Sequence, residues 1–163
     1  MIIIDGYNLL FAQKGEIPDL ESARAGLIEL LQKYNSKKGN AVKIVFDVKA
    51  NPFLYNSKTK TNKGKVEVIF SPSGTTADDY IIKLVGGFEN KKTIRVVSSD
   101  KKVASAVKTL GAQAVSSVEF FKEITSLLKS GKNDDYYYEK EHGIPKAEVH
   151  HWMKVFGLDK NKK

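Results

Sequence analysis

The feature that most constrains the fold of this chain is a regular alternation of short apolar runs with longer helical patterns. The apolar runs, read as strands, are residues 2–4, 42–46, 66–70, 94–97 and 113–115. The helical patterns cover residues 21–37, 77–85, 101–110 and 118–128. This alternation is typical of βαβ units around a mostly parallel sheet. We therefore predict an α/β fold.

Two segments depart from the alternation. Residues 47–65 carry a basic run and predict an irregular loop, which either contacts RNA backbone or is simply solvated. Its lysines are Lys58, Lys60, Lys63 and Lys65.

The length of 163 residues fits one core. We therefore predict one domain over residues 1–130 and an appendage over 131–163, with an amphipathic helix from 146 to 156 that carries Trp152 on its apolar stripe.

Charge and composition narrow the classes of function. The net charge is +8, from 27 Lys and Arg against 19 Asp and Glu, which suits either a polyanionic partner or a solubilising surface. The absence of cysteine excludes a disulfide framework, a thiolate zinc site and a cysteine nucleophile. The apolar start of the chain ends at Asp5, too early for a signal peptide, and no run is long enough to span a membrane. We expect a cytoplasmic protein.

Aspartates recur where predicted strands end. Asp5 follows the first strand, Asp47 the second and Asp100 the fourth, while Asp78 lies in the first turn of the helix after the third. Because the carboxyl ends of parallel strands share one edge of the sheet, these residues are expected to converge there.

Converging carboxylates repel one another unless a cation compensates them. A hard divalent ion such as Mg²⁺ or Mn²⁺ suits oxygen ligands, and at such a site it can activate water for attack on a phosphodiester. One ion or two would satisfy the sequence equally.

Each aspartate also has a structural interpretation. Asp100, or Ser99 beside it, can cap a helix. Thr76 and Asp79 have the spacing of a capping box, so we assign Asp79 mainly to capping and Asp78 to the site. Asp47 is equally compatible with either role. Asp5 is the hardest to explain structurally, because a charge directly after three isoleucines needs a reason to lie at the sheet edge.

Neighbouring residues support the predicted site. Gly6 would let the backbone turn off the strand and approach a ligand. Asn8 can donate to a phosphate or fix a carboxylate, or make a local turn bond. Ser98 and Ser99 can order Asp100 or cap a helix. Lys101 and Lys102 would contact phosphates at the rim of the site, or form a solvated helix start.

Four motifs in this order resemble the YacP-type NYN domains, a branch of the PIN-like nucleases, over about residues 1–130. They are Asp5-Gly6-Tyr7-Asn8, Val45-Phe46-Asp47, Thr76-Ala77-Asp78-Asp79 and Val97-Ser98-Ser99-Asp100. The resemblance implies a PIN-like three-layer α/β/α sandwich and a metal-dependent endoribonuclease. By position it implies Asp5, Asp78 and Asp100 as catalytic metal ligands, Asp47 as a further candidate and Asn8 as the motif asparagine.

The same resemblance implies mRNA and the ribosome as partners, and it allows a homodimer. Two alternatives stay open: a non-catalytic RNA- or ribosome-binding adaptor of the same fold, and a nuclease acting on DNA. A covalent aspartate mechanism is set aside, because dehalogenase-like phosphatases need a second Asp where this chain has Tyr7.

Overall fold

The structure is a computed structural model that describes residues 1–12, 17, 19–48, 60–63 and 65–129, with the backbone alone for 60–63 and 129. The predicted appendage over residues 131–163, its helix at 146–156 and Lys58 lie outside the described residues. No helix in the described ranges combines the length and apolarity needed to cross a membrane.

A six-stranded sheet forms the centre of the molecule. Its strands are β1 (Ile2–Asp5), β2 (Val42–Phe46), β3 (Lys60–Lys63), β4 (Val66–Phe70), β5 (Arg95–Val97) and β6 (Gln113–Val115). They lie side by side in the order β3-β4-β2-β1-β5-β6. All neighbouring pairs are parallel except β3 with β4. The predicted mostly parallel sheet is confirmed.

Helices cover both faces of this sheet. They are α1 (Gly6–Phe11), α2 (Leu20–Lys38), α3 (Ala77–Gly86), α4 (Lys101–Thr109) and α5 (Ser117–Lys129). Successive strand residues point to opposite faces. Accordingly, Ile2 and Ile4 enter the core beneath α1, α2 and α5, whereas Ile3 enters the core beneath α3 and α4. The three-layer α/β/α sandwich is confirmed.

Two elements differ from the sequence-based expectation. The segment predicted as an irregular loop ends in β3, an edge strand antiparallel to β4. Its sequence, Lys-Thr-Asn-Lys, has no apolar alternation, and an edge strand does not need one because it pairs with its neighbour through backbone hydrogen bonds. Lysines on an edge strand also discourage pairing with further strands. The predicted turn after β1 is instead the short helix α1, which begins with Asp5 as its N-cap.

Strand order explains where a ligand site can form. From β1 the chain builds outward through β2 and β4 on one side, and later through β5 and β6 on the other. The order therefore reverses between β1 and β5. In open α/β sheets, the crevice outside the carboxyl ends of strands at such a point is where ligands bind. Asp5 ends β1 at this crevice, and Asp100 follows β5.

Candidate active site

The four predicted aspartates line one open cleft with a volume of about 670 Å³. Its lining residues are Asp5, Tyr7, Asn8, Phe11, Ala12, Asp47, Thr76, Ala77, Asp78, Ser99, Asp100 and Val118. They come from the ends of β1, β2 and β5 and from in or beside the helices α1, α3 and α5. The sheet edge thus brings together acids that are far apart in the chain.

Asp5 is the most buried of these acids, with 6% of its surface exposed. Its Oδ1 accepts a hydrogen bond from the backbone N–H of Asn8 at 3.1 Å, and its Oδ2 accepts one from the Ser98 hydroxyl at 3.4 Å. Burial raises the pKa of Asp5 to about 6. The charges of Asp78 and Asp100 raise this pKa as well, whereas the hydrogen bonds from Asn8 and Ser98 lower it.

Ser98 connects two of the acids. Its buried hydroxyl donates to Asp5 and accepts from the backbone N–H of Asp100 at 3.1 Å. Asp100 in turn caps α4, because its Oδ1 accepts from the N–H groups of Lys102 and Val103 at 2.7 and 3.1 Å. The capping interpretation of Asp100 and its place in the cleft are therefore compatible. Both capping bonds fall on one oxygen, so the cap does not use Oδ2.

The remaining acids divide between cleft and surface. Burial raises the pKa of Asp78, and so do the charges of Asp100, Asp79 and Asp47, whereas Lys102 lowers it. Asp79 does not line the cleft; its carboxylate lies 3.5 Å from Lys102 Nζ. Thr76 caps α3 by accepting from the Asp79 backbone N–H at 3.2 Å. The Thr76 hydroxyl thus makes the capping bond, while the Asp79 carboxylate faces a lysine.

Asn8 joins three elements at the cleft wall. Its Oδ1 accepts from the backbone N–H of Ser99 at 2.8 Å and from the Ser117 hydroxyl at 2.7 Å. The Ser99 hydroxyl accepts from the Ser117 N–H at 3.0 Å, which closes the network. The sequence analysis missed Ser117, which is fully buried. The available signal was its position two residues after β6, at the same sheet edge.

Gly6 is required for a reason different from the predicted one. A Cβ atom at this position would lie 2.3 Å from Cε1 of Phe46, a fully buried side chain. The missing side chain therefore makes room for packing between α1 and β2, and its φ is not positive. The close approach of the Gly6 backbone to a ligand stays a prediction.

The predicted RNA-binding lysines are spread over the molecule. Lys102 lies near Asp78 and Asp79 at the start of α4, beside the exposed Lys101. Lys65 precedes the first residue of β4, and Lys63 pairs with that residue, so both lie toward the edge of the sheet opposite the aspartates. Lys60 pairs with Ile69 and lies toward the aspartate edge.

The acids of the cleft suit a divalent ion, although they do not already form a complete set of ligands. In the described ranges, no three His, Asp or Glu side chains are already placed to hold an ion together. Mg²⁺ keeps several waters and needs only one or two direct carboxylates, so a ready-made cage is not required. The charges of Asp78 and Asp100 raise the pKa of Asp5, and the charge of Asp100 raises that of Asp78, which is the electrostatic condition that a cation relieves.

The sequence is similar to proteins of a known family. The model of the YacP-like NYN domain matches residues 2–156. The match runs past residue 130, and our domain boundary there stays a prediction. The chain is 35% identical over 133 residues to the uncharacterized protein YacP of Bacillus subtilis (strain 168). This alignment covers 78% of this chain and 76% of YacP.

Solved structures agree with the sequence match. The crystal structure of Rae1 (YacP) from Bacillus subtilis has a TM-score of 0.67 and 28% identity, covering 97% of this chain and 91% of that one. Its W164L mutant has a TM-score of 0.66 and 29% identity, covering 95% and 91%. The protein therefore belongs to the YacP-like NYN domain family, a nuclease-type branch of the PIN-like superfamily.

Proposed function

We propose that this protein is a Mg²⁺- or Mn²⁺-dependent endoribonuclease that cleaves phosphodiester bonds in RNA. The observation that carries the proposal is the convergence of Asp5, Asp78 and Asp100 on one cleft, in a chain of a nuclease-type family. Within the cleft, the charge of Asp100 raises the pKa of both Asp5 and Asp78. Acids that converge at a ligand-binding edge, with the pKa of some of them raised by their neighbours, are expected where a cation and a phosphate meet.

Each residue has a proposed role. Asp5, Asp78 and Asp100 would hold the ion, with Asp47 as a further ligand. When bound, the ion supplies charge neutralisation at the phosphate and activation of water. Ser98 orients Asp5 and Asp100 through its two hydrogen bonds. Asn8 keeps its amide group at the cleft wall, where it is available to a phosphate oxygen.

The substrate and setting are part of the same proposal. The net charge of +8 favours a polyanion, and Lys101 and Lys102 at the start of α4 would contact RNA phosphates. Lys58, Lys60, Lys63 and Lys65 would bind the RNA backbone. The YacP family resemblance favours mRNA on the ribosome, and hence the cytoplasm. A homodimer is a further expectation, which sedimentation of the purified protein measures.

Cleavage of labelled single-stranded RNA tests the proposal. The parent protein is expected to cut with Mg²⁺ or Mn²⁺ and not with chelator, on free RNA and on ribosome-bound mRNA. Asp5→Asn, Asp78→Asn and Asp100→Asn should each reduce the rate by on the order of 100-fold or more, because each removes a ligand of the ion. Asp79→Asn is the matched control, since Asp79 lies outside the cleft. Equal rates for parent and the three variants would refute the assignment.

A non-catalytic RNA- or ribosome-binding adaptor is the second candidate. The net charge of +8 is compatible with it, since binding of phosphates by lysines needs no metal ion. An adaptor would bind RNA equally with chelator and with Mn²⁺ and would never cut it. A single-stranded DNA of the same sequence, run in parallel, separates the RNA nuclease from a DNA nuclease.

A further inference from the structure

Two apolar side chains stand out on the surface of the described chain. Phe11 is 60% exposed and Val118 is 46% exposed, and the described residues include no other large hydrophobic side chain in the exposed class. Both line the cleft that holds the aspartates. Exposed apolar surface of this kind at a functional cleft indicates contact with a ligand.

The Phe11 ring is held from behind. Its centroid lies 6.0 Å from that of Tyr7, with 23° between the ring planes. Tyr7 is buried and contacts Phe46 edge-on, at a centroid distance of 5.1 Å. Packing therefore fixes the position of the Phe11 ring while leaving most of the side chain exposed to solvent. Such a ring can accept a flat partner at a low entropic cost.

Val118 is tied to the same wall by the Asn8 network. Asn8 lies one helical turn before Phe11 in α1, and Ser117 directly precedes Val118 in α5. The 2.7 Å hydrogen bond between Ser117 and Asn8 therefore fixes the two apolar residues relative to each other and to the aspartates. The cleft thus combines an acidic side for phosphate chemistry with an apolar side.

We propose that Phe11, with Val118 beside it, binds an unpaired nucleobase next to the phosphate that is cut. The inference rests on the proposed function, because a nucleic acid whose phosphate lies at the aspartates must place a neighbouring base in the same cavity. Every base has a flat π-face, and stacking on an aromatic ring does not depend on sequence. Phe and Val offer no hydrogen bonds to base edges, so the subsite selects unpaired bases without selecting their identity.

Binding of single-stranded RNA with abasic riboses tests this subsite. Oligonucleotides that lack one base at successive positions would be titrated against Asp100→Asn protein, which prevents cutting, with Mg²⁺ present. Phe11→Ala on that background should weaken binding by about tenfold to a hundredfold, the range for loss of one stacked base. Removing the base at one position should weaken binding to the same extent, and the two losses should not add. Phe11→Trp should retain the affinity.

Controls separate a local effect from a general one. Phe88→Ala removes an aromatic ring beside a different cavity, formed with Tyr80 and Leu84, and should leave base-dependent binding unchanged. Binding of duplex RNA should not depend on Phe11, because its bases remain paired.

Several outcomes would overturn the subsite. It is wrong if Phe11→Ala binds as tightly as its background, or if the losses from the variant and the abasic position add in full. It is also wrong if Phe11→Ala tightens binding. Base-dependent binding without cleavage by the parent would refute the proposed catalysis and leave the subsite standing. Normal cleavage that does not change in Phe11→Ala would refute the subsite and leave the proposed catalysis standing.

Discussion

The hydroxyl of Ser117 donates a 2.7 Å hydrogen bond to Oδ1 of Asn8, a residue 109 positions earlier in the chain. The same oxygen accepts from the backbone N–H of Ser99 at 2.8 Å. Because a backbone N–H can only donate, the atom facing it must be the amide oxygen and not the nitrogen. The two bonds therefore fix the orientation of the Asn8 amide and make its NH₂ group the part available to a ligand.

Ser117→Ala tests the importance of this orientation. Loss of one buried hydrogen bond should reduce kcat/KM for RNA cleavage by roughly tenfold, in keeping with about 1–2 kcal/mol for such a bond. The substitution should have little further effect in an Asn8→Ala background, because Ser117 acts through Asn8. Ser116→Ala is the matched control: its hydroxyl bonds Glu119 at the same helix start and does not contact Asn8. An equal loss of activity in both variants would point to helix capping instead.

The pKa of Asp5 predicts how stability varies with pH. Its value of about 6 in the folded protein exceeds the ordinary 3.8. Between pH 3.8 and about 6, the folded state therefore keeps a proton on Asp5 that the unfolded state has released. In metal-free buffer, the free energy of unfolding should therefore fall as pH rises from about 4 through about 6 to 7, by about 3 kcal/mol in total from this group. Asp5→Asn removes this dependence.

Urea denaturation of parent and Asp5→Asn at pH 4.5 and pH 8 measures the effect. We expect the variant to exceed the parent in stability at pH 8 and the difference to shrink at pH 4.5. A variant that is less stable than the parent at pH 8 would mean that the hydrogen bonds of the carboxylate outweigh its burial.

Divalent ions should stabilise the folded protein through the same acids. A ligand that binds the folded state alone adds about 2.7 kcal/mol at a concentration of 100 times its Kd. The Tm of the parent should therefore rise with Mn²⁺ at pH 8 and rise less at pH 5, where Asp5 is mostly protonated. Asp78→Asn should lose most of the increase, and Asp79→Asn should keep it. A rise that is equal in both variants would place the ion elsewhere.

Gly6→Ala tests the packing that positions the start of α1. The new Cβ would lie 2.3 Å from the Phe46 ring, so either the ring or the helix must move. We expect a loss of about 1–3 kcal/mol or more in the free energy of unfolding, together with weaker cleavage, because Asp5 and Asn8 flank this contact. Gly86→Ala is the control, since a Cβ there meets nothing within 4 Å. Wild-type stability of Gly6→Ala, measured by urea denaturation, would contradict the packing argument.

Most of the fold is readable from the sequence because the buried strands and amphipathic helices have strong periodicity. β3 was missed because an edge strand of lysine, threonine and asparagine carries no apolar pattern. α1 was missed because six residues are too few for helical periodicity to register.

The site was predictable only as far as topology determines it. The convergence of Asp5, Asp78 and Asp100 was predictable because the carboxyl ends of parallel strands share one edge of the sheet. Ser117 was not, since its partner Asn8 is remote in sequence and a buried serine has no distinctive pattern. Phe11 and Val118 were missed because an apolar residue near the end of a helix looks like core until its exposure is known.

The central claim is that Asp5, Asp78 and Asp100 share a divalent cation, and crystals soaked in Mn²⁺ test it most directly. We predict an anomalous difference peak in the cleft bounded by these three carboxylates, absent from crystals of Asp100→Asn. A peak that persists in Asp100→Asn, or a cleft without any peak in parent crystals at saturating Mn²⁺, would contradict the account.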